Sequence, residues 1–153
     1  FLLTWTDATD EDIYGYEVTG FVKLLDSMQS YFEANMALLD KETRNALFRS
    51  HPVYTKVKDD VPAIYGLGSE VTNSLVADGC VIEGKVENSI LFRGVHVGKD
   101  AVIKNCVLMQ NTYIGDDVSL NCVVADKNVV IKPNKVLSGD EKFPVYIGKG
   151  IVI

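Results

Sequence analysis

Apolar and polar positions change rhythm along this chain and divide it into stretches with different predicted structure. Residues 13–24 are rich in β-branched and aromatic side chains interrupted by Gly15 and Gly20, a pattern that predicts one or two strands. Asp26 and Ser27 then supply an N-cap, and apolar residues at 28, 31, 32, 36, 38 and 39 recur at helical spacing, which predicts an amphipathic helix over 27–39. Residues 41–69 are polar and punctuated by Pro52, Pro62, Gly66 and Gly68, so they read as a connector with one short helix near 41–48. From residue 70 the pattern becomes periodic. Asn73-Ser74-Leu75-Val76 returns as Asn88-Ser89-Ile90-Leu91, Asn105-Cys106-Val107-Leu108 and Asn121-Cys122-Val123-Val124, at spacings of 15, 17 and 16 residues. Aliphatics stand six apart within these units: Val76 and Ile82, then Leu91, Val97 and Ile103, then Leu108, Ile114 and Leu120, closing with Val124 and Val130.

A six-residue aliphatic period with Gly directly after the aliphatic, as in Val97-Gly98 and Ile114-Gly115, resembles the hexapeptide repeat. Three such hexads make one triangular coil of about 18 residues, each side offering one inward aliphatic, so that only stacking creates a core. The fold expected is mainly β: a parallel β-helix of about four coils over residues 70–137, left-handed by resemblance to hexapeptide repeats. A helical reading fails, because Val and Ile dominate without a 3.6-residue spacing. Residues 138–153 are expected to form a terminal loop and closing strands over the open end, since an uncovered strand edge invites association.

Composition narrows the classes of function. The 153 residues are 47% hydrophobic and 24% charged, as in globular domains. Fifteen Lys+Arg against 21 Asp+Glu leave a net charge of −6, where a nucleic-acid partner needs a basic face. No apolar run is long enough to span a bilayer. Three cysteines without a C-x-x-C motif argue against a disulfide framework and a zinc site, and suit a reducing, cytoplasmic setting. A start at Phe1, inside an apolar segment, is expected of a piece of a longer protein.

Several residues invite a chemical reading beside a structural one. His96 suits the general base of a hexapeptide acyltransferase using acetyl-CoA, or a solvated face residue. His51, before Pro52, reads as a turn residue. Cys106 and Cys122 take the repeat position of Ser74 and Ser89, so small size explains them better than nucleophilic or redox chemistry. Asp116 and Asp117, with Asp100 one coil below, fit either a cation site or solvated turns. Lys85, Lys99, Lys104, Lys127 and Lys132 on successive coils fit a ladder for a phosphorylated effector, or a solvated surface. Gly66-Leu67-Gly68-Ser69 lacks the G-x-G-x-x-G pattern and reads as a hinge. The residues by themselves therefore describe a β-helix module with no self-contained active site.

One further set of motifs points to a family. Ser30-Tyr31-Phe32-Glu33-Ala34-Asn35-Met36-Ala37-Leu38-Leu39, Pro52-Val53-Tyr54-Thr55, Pro62-Ala63-Ile64-Tyr65 and the Asn-Ser-Leu-Val coils resemble the C-terminal part of glucose-1-phosphate adenylyltransferase (ADP-glucose pyrophosphorylase). The resemblance implies that residues 1–40 end a nucleotidyltransferase domain and that the β-helix serves subunit assembly and allosteric control. It also implies a parent reaction in glycogen biosynthesis that joins ATP and glucose 1-phosphate with the help of Mg²⁺. The phosphate-binding G-x-G-T-R-L-x-P-L-T loop of the family does not occur here. Catalytic members carry G-Y-W-x-D-V-G-T before the helix, and an ungapped count places Leu24 at its Asp, where a hydrocarbon offers Mg²⁺ no oxygen. This resembles the GlgD-type accessory subunit, which implies a weakly catalytic or non-catalytic parent and other adenylyltransferase subunits as partners. Asp126-Lys127-Asn128 resembles a motif of plant-type members and implies Lys127 as an effector contact, with no catalytic residue and no cofactor in this stretch.

Overall fold

A computed structural model describes residues 14, 15, 17, 20–49, 54 and 59–153. His51 and most of the Pro52–Thr55 motif lie outside the described residues. The helix expected at 27–39 spans Met28–Ala37 (α1). Ser27 caps it in extended conformation, accepting from the Ser30 backbone N–H, while Ser30 Oγ accepts from the Ser27 N–H, so two orphan donors are satisfied reciprocally. A second helix spans Lys41–Phe48 (α2), with Asp40 as its N-cap accepting from Thr43 N at 2.7 Å. Arg44 of α2 donates to the Leu38 and Leu39 carbonyls and so closes the C-terminal end of α1. Residues 20–24 form no strand, contrary to expectation. Gly20 sits at φ +130° and residues 20–24 join no ladder among the described residues, while residues 13, 16, 18 and 19 of the expected strand stretch lie outside the described residues.

Three parallel sheets of five strands each enclose the rest of the chain. The first face is built from Ile64–Tyr65, Val81–Ile82, His96–Val97, Tyr113–Ile114 and Val130–Ile131. The second comprises Glu70–Thr72, Lys85–Glu87, Val102–Lys104, Ser119–Asn121 and Val136–Ser138. The third comprises Leu75–Val76, Ile90–Leu91, Val107–Leu108, Val123–Ala125 and Val145–Ile147. The chain visits the faces in rotation, so the fold is a parallel β-helix. It begins at Ile64, inside the stretch read as connector, because Ile64 and Tyr65 pair with Val81 and Ile82.

Inward aliphatics form one continuous core in which Ile82, Leu91, Val97, Ile103, Leu108, Ile114, Leu120 and Ile131 are fully or almost fully buried. Burying each such side chain contributes roughly 1.5–3 kcal/mol, which no single coil could gather alone. The register corrects the periodic reading in its last coil. Ala125 pairs with Leu108 and Val124 with Val107, so Ala125 and Ile131 point inward while Val124 and Val130 point outward. The third spacing is 17 rather than 16, counted from Asn105 to Cys122. Both have positive φ, +50° and +51°, as do Asn73 and Asn88 at the same corner. Asparagine tolerates that left-handed conformation better than most side chains, which explains its recurrence there.

The C-terminal residues extend the helix rather than lying across it as a separate pair. Val136–Ser138 and Val145–Ile147 add a parallel rung to their sheets, and Val152 bridges Val130. Residues 140–144 are a five-residue insertion at the corner that Asn73, Asn88, Asn105 and Cys122 occupy in earlier coils.

Candidate interaction surface

The outer residues of the three faces differ in chemistry, and this difference locates the site. On the second face, polar and apolar positions alternate in Glu70-Val71-Thr72, Lys85-Val86-Glu87 and Ser119-Leu120-Asn121, with Val102 and Val136 as the apolar exceptions on the outside. The period of two puts one apolar side chain inward and leaves the outside to water. There Lys85 meets Glu70 at 3.3 Å and Lys104 meets Glu87 at 2.9 Å, both pairs well exposed.

The third face carries apolar doublets instead, and its outer column of Leu75, Ile90, Val107 and Val124 is apolar. The helix α1 covers it. Phe32 packs against Val107, Cys122 and Val124, flanked by Met28, Tyr31, Met36 and Phe92. The first face carries similar doublets, Val81-Ile82, Tyr113-Ile114 and Val130-Ile131, with the imidazole of His96 before Val97 as the exception. Its outer column runs Ile64, Val81, His96, Tyr113, Val130 and Val152 in register. No described residue covers it: Ile64 is 57% exposed, Tyr113 45% and Val152 56%, with Val81, His96 and Val130 half-buried between them. The column is roughly 24 Å tall at the usual strand spacing. A sheet face with apolar residues on both sides calls for a covering layer.

His96 lies in this column, pointing outward. Its ring stacks on Tyr113 with centroids 4.7 Å apart and planes 4° from parallel. The remaining candidates are dispersed. Lys127 sits exposed at the corner between the third and first faces, its backbone N–H donating to Asp126 Oδ1 at 2.7 Å. In register with it are Gln110 below and Lys149 above, because Asn128 N bonds Gln110 O and Gly150 N bonds Lys127 O. Lys99 and Lys132 belong to a different corner, and Lys85 and Lys104 are the ion-paired residues of the second face. The five lysines therefore form no single ladder. Asp100 and Asp117 turn corners at φ +54°, and Asp116 Oδ1 accepts from Lys99 N at 2.8 Å. Among the described residues no group of three or more His, Cys, Asp or Glu is placed to hold a metal.

All three cysteines are free and buried. Cys106 takes the place of the serines: its N–H donates to Ser89 Oγ, whose own N–H donates to Ser74 Oγ. Cys122 does not, contrary to the repeat reading. It holds the asparagine corner and packs under Phe32. Burial pushes the Cys106 thiol up to about 12 and raises Cys80, while burial and the carboxylates of Glu141 and Asp140 raise Cys122. None is poised as a thiolate nucleophile. Leu24, the residue that the ungapped count sets opposite the metal-binding Asp of catalytic members, is 58% exposed and its hydrocarbon offers no oxygen to Mg²⁺.

Sequence reasoning missed the first-face column. Its signal was the doublet itself, one extra residue before each inward aliphatic that is apolar at every rung but His96, which the six-residue count passes over.

Comparison with known proteins now adds to this geometry. Residues 62–143 match the family described as GlmU-like, C-terminal hexapeptide. The chain is 46% identical over 138 residues to the glycogen biosynthesis protein GlgD of Bacillus subtilis (strain 168), a match covering 90% of this chain and 40% of that protein. A GlgD of Geobacillus stearothermophilus is 46% identical over 120 residues, covering 78% of this chain and 35% of its own length. Glucose-1-phosphate adenylyltransferase of Clostridium perfringens (strain SM101 / Type A) is 36% identical over 142 residues, covering 92% and 37%. These matches span about two fifths of the relatives' length. No helix among the described residues is long and apolar enough to cross a membrane.

Proposed function

Because this chain belongs to the GlmU-like, C-terminal hexapeptide family and is similar to GlgD along most of its length, we propose that it is an assembly and regulatory module in glycogen biosynthesis. In this reading it pairs its parent subunit with another adenylyltransferase-type subunit, and the assembly forms ADP-glucose and pyrophosphate from ATP and glucose 1-phosphate. The observation that carries the reading is the largely apolar column from Ile64 to Val152, which has the chemistry of a covered face and, among the described residues, no cover. Docking a partner's apolar surface there removes that area from water, each fully buried large side chain contributing roughly 1.5–3 kcal/mol.

The fold suits transmission of a signal. Each rung is hydrogen-bonded to the next, so a displacement at one corner is passed along a stiff column rather than absorbed locally. A phosphorylated effector meeting Lys127 and Lys149 at the corner beside the first face would change the partner's activity only through different affinity for two states of the assembly. Leu24 supports a subunit whose role is to retune a catalytic partner.

The test is pyrophosphate release from ATP and glucose 1-phosphate by the full-length parent, by a catalytic adenylyltransferase subunit, and by their mixture. A silent parent that raises or retunes the partner's rate is the expected result. Turnover by the parent alone, at a rate like the partner's, would overturn the accessory role. Lys127→Gln in the mixture is expected to raise the effector concentration needed for half-maximal response without changing the basal rate.

A further inference from the structure

The outer column of the first face has nearly the same order of side-chain types in both directions. It runs Ile64, Val81, His96, Tyr113, Val130 and Val152, an aliphatic pair, two rings and an aliphatic pair. It contains no Asp, Glu, Lys or Arg, so covering it buries none of those charges. A two-fold interface needs a patch that complements itself. Two face-to-face arrangements meet that condition. Turning a second copy about the solenoid axis keeps the coils parallel and sets each rung against itself. Turning it about the strand direction makes the coils antiparallel and sets the first rung against the last.

Charges along the two edges of the face decide between these arrangements. On the edge where the chain enters, the residues three before the column stand in register: Val61, Asp78, Arg93, Gln110, Lys127 and Lys149. On the edge where it leaves, Glu83, Lys99, Asp116 and Lys132 follow the strands of the four middle rungs. The parallel arrangement lays the entry edge over the exit edge, rung by rung. Asp78 then faces Glu83, Arg93 faces Lys99 and Lys127 faces Lys132, which is like charge against like charge. The antiparallel arrangement lays each edge over itself in reverse order. Asp78 then faces Lys127, Glu83 faces Lys132 and Lys99 faces Asp116, while Arg93 faces the amide of Gln110. The two-fold makes each of these pairs twice. None of these charged side chains is in an ion pair within the chain among the described residues.

We propose that a second copy of this chain covers the first face, antiparallel, with the two-fold axis along the strand direction between the His96 and Tyr113 rungs. The proposal rests on the reading of this face as an interface and names its occupant. At the two central rungs His96 meets Tyr113 of the second copy, so imidazole nitrogens face a phenol O–H that both donates and accepts. A face roughly 24 Å tall and about 20 Å wide buries on the order of 1,000 Å² in the two copies together. That is the size of a weak, reversible interface, with a dissociation constant on the order of 10–100 µM.

Sedimentation equilibrium of the chain at low ionic strength tests this, with Glu83→Lys and Lys132→Glu measured singly and as an equal mixture. Each variant alone sets like charges against each other in two places and is expected to dimerise about tenfold more weakly than the parent. The mixture is expected to recover the parent's affinity, because a Lys then faces a Glu in both places. Added salt is expected to shrink these differences, and urea unfolding midpoints are expected to stay alike. Tighter association by either variant would overturn the antiparallel arrangement. Equal association by all three, with no gain on mixing, would overturn the pairing of the edges. A chain that stays monomeric alone yet binds a catalytic adenylyltransferase subunit would overturn the second copy as occupant and leave the interface reading standing. Association in neither case would overturn both.

Discussion

The third and first faces of this β-helix have the same strand grammar and different surroundings. Both carry apolar doublets, one residue for the core and one for the outside. On the third face the outer residues Val107 and Val124 are fully buried beneath α1. On the first, Ile64, Tyr113 and Val152 are about half exposed or more. The second face, with alternating polar residues and exposed ion pairs, shows what a water-facing side of the same solenoid looks like. The lesson is that the first face, as the described residues show it, has largely the composition of an interior and the accessibility of a surface, the combination on which the proposed interface rests.

Substitutions can break that contrast or sharpen it. The largest effect is expected for Phe32→Ala, which removes the anchor of α1 on the third face and should cost about 3–5 kcal/mol in urea unfolding. Tyr113→Ala on the first face removes a half-exposed ring and should cost less than about 1 kcal/mol in the dilute chain. Equal losses would erase the distinction between the faces.

The core behind both faces has its own pH signature. Burial disfavours the Cys106 thiolate and pushes this thiol in the folded state from its ordinary value of 9.0 up to about 12. The unfolded chain then loses that proton first, so this contribution to stability is intact below pH 9.0 and declines as pH rises toward about 12. Urea midpoints should fall over this window, by at most about 1.4 kcal/mol per pH unit from this thiol. Cys106→Ser, which extends the existing serine column, should flatten the decline. A smaller loss, about 1 kcal/mol, is expected for Ser27→Ala, which opens the capping box of the covering helix. The smallest is expected on the charged face. Lys85→Ala removes an exposed pair and should change stability by under about 0.5 kcal/mol.

Much of this fold was legible because its core repeats. The aliphatics from Val76 to Leu120 were read as inward from spacing alone, and all line the core. The reading slipped at Asn121, where an asparagine in the strand imitates the corner asparagines and shifts the count by one residue, turning Val124 and Val130 the wrong way. It stopped short at Ile64 and Tyr65 because their pairing partners lie 17 residues ahead, across a segment rich in Gly and without the Asn-Ser marker. At 20–24, the continuously described part of the stretch expected as strand, β-branched composition describes a surface to be packed and does not supply the neighbouring strand. The site was less legible than the core. His96 drew attention as a catalytic type of residue, whereas its position in an apolar column beside Tyr113 is a property of register, visible only once the coils are stacked.

Sedimentation velocity over a range of concentrations, on the chain and on its Tyr113→Asp variant, tests the first face most directly. A charge placed in the middle of the uncovered column should abolish concentration-dependent association while leaving the unfolding midpoint within about 1 kcal/mol of the parent. Identical association by both proteins, or no association by either alone or with an adenylyltransferase subunit added, would contradict the assignment of this face as the interface.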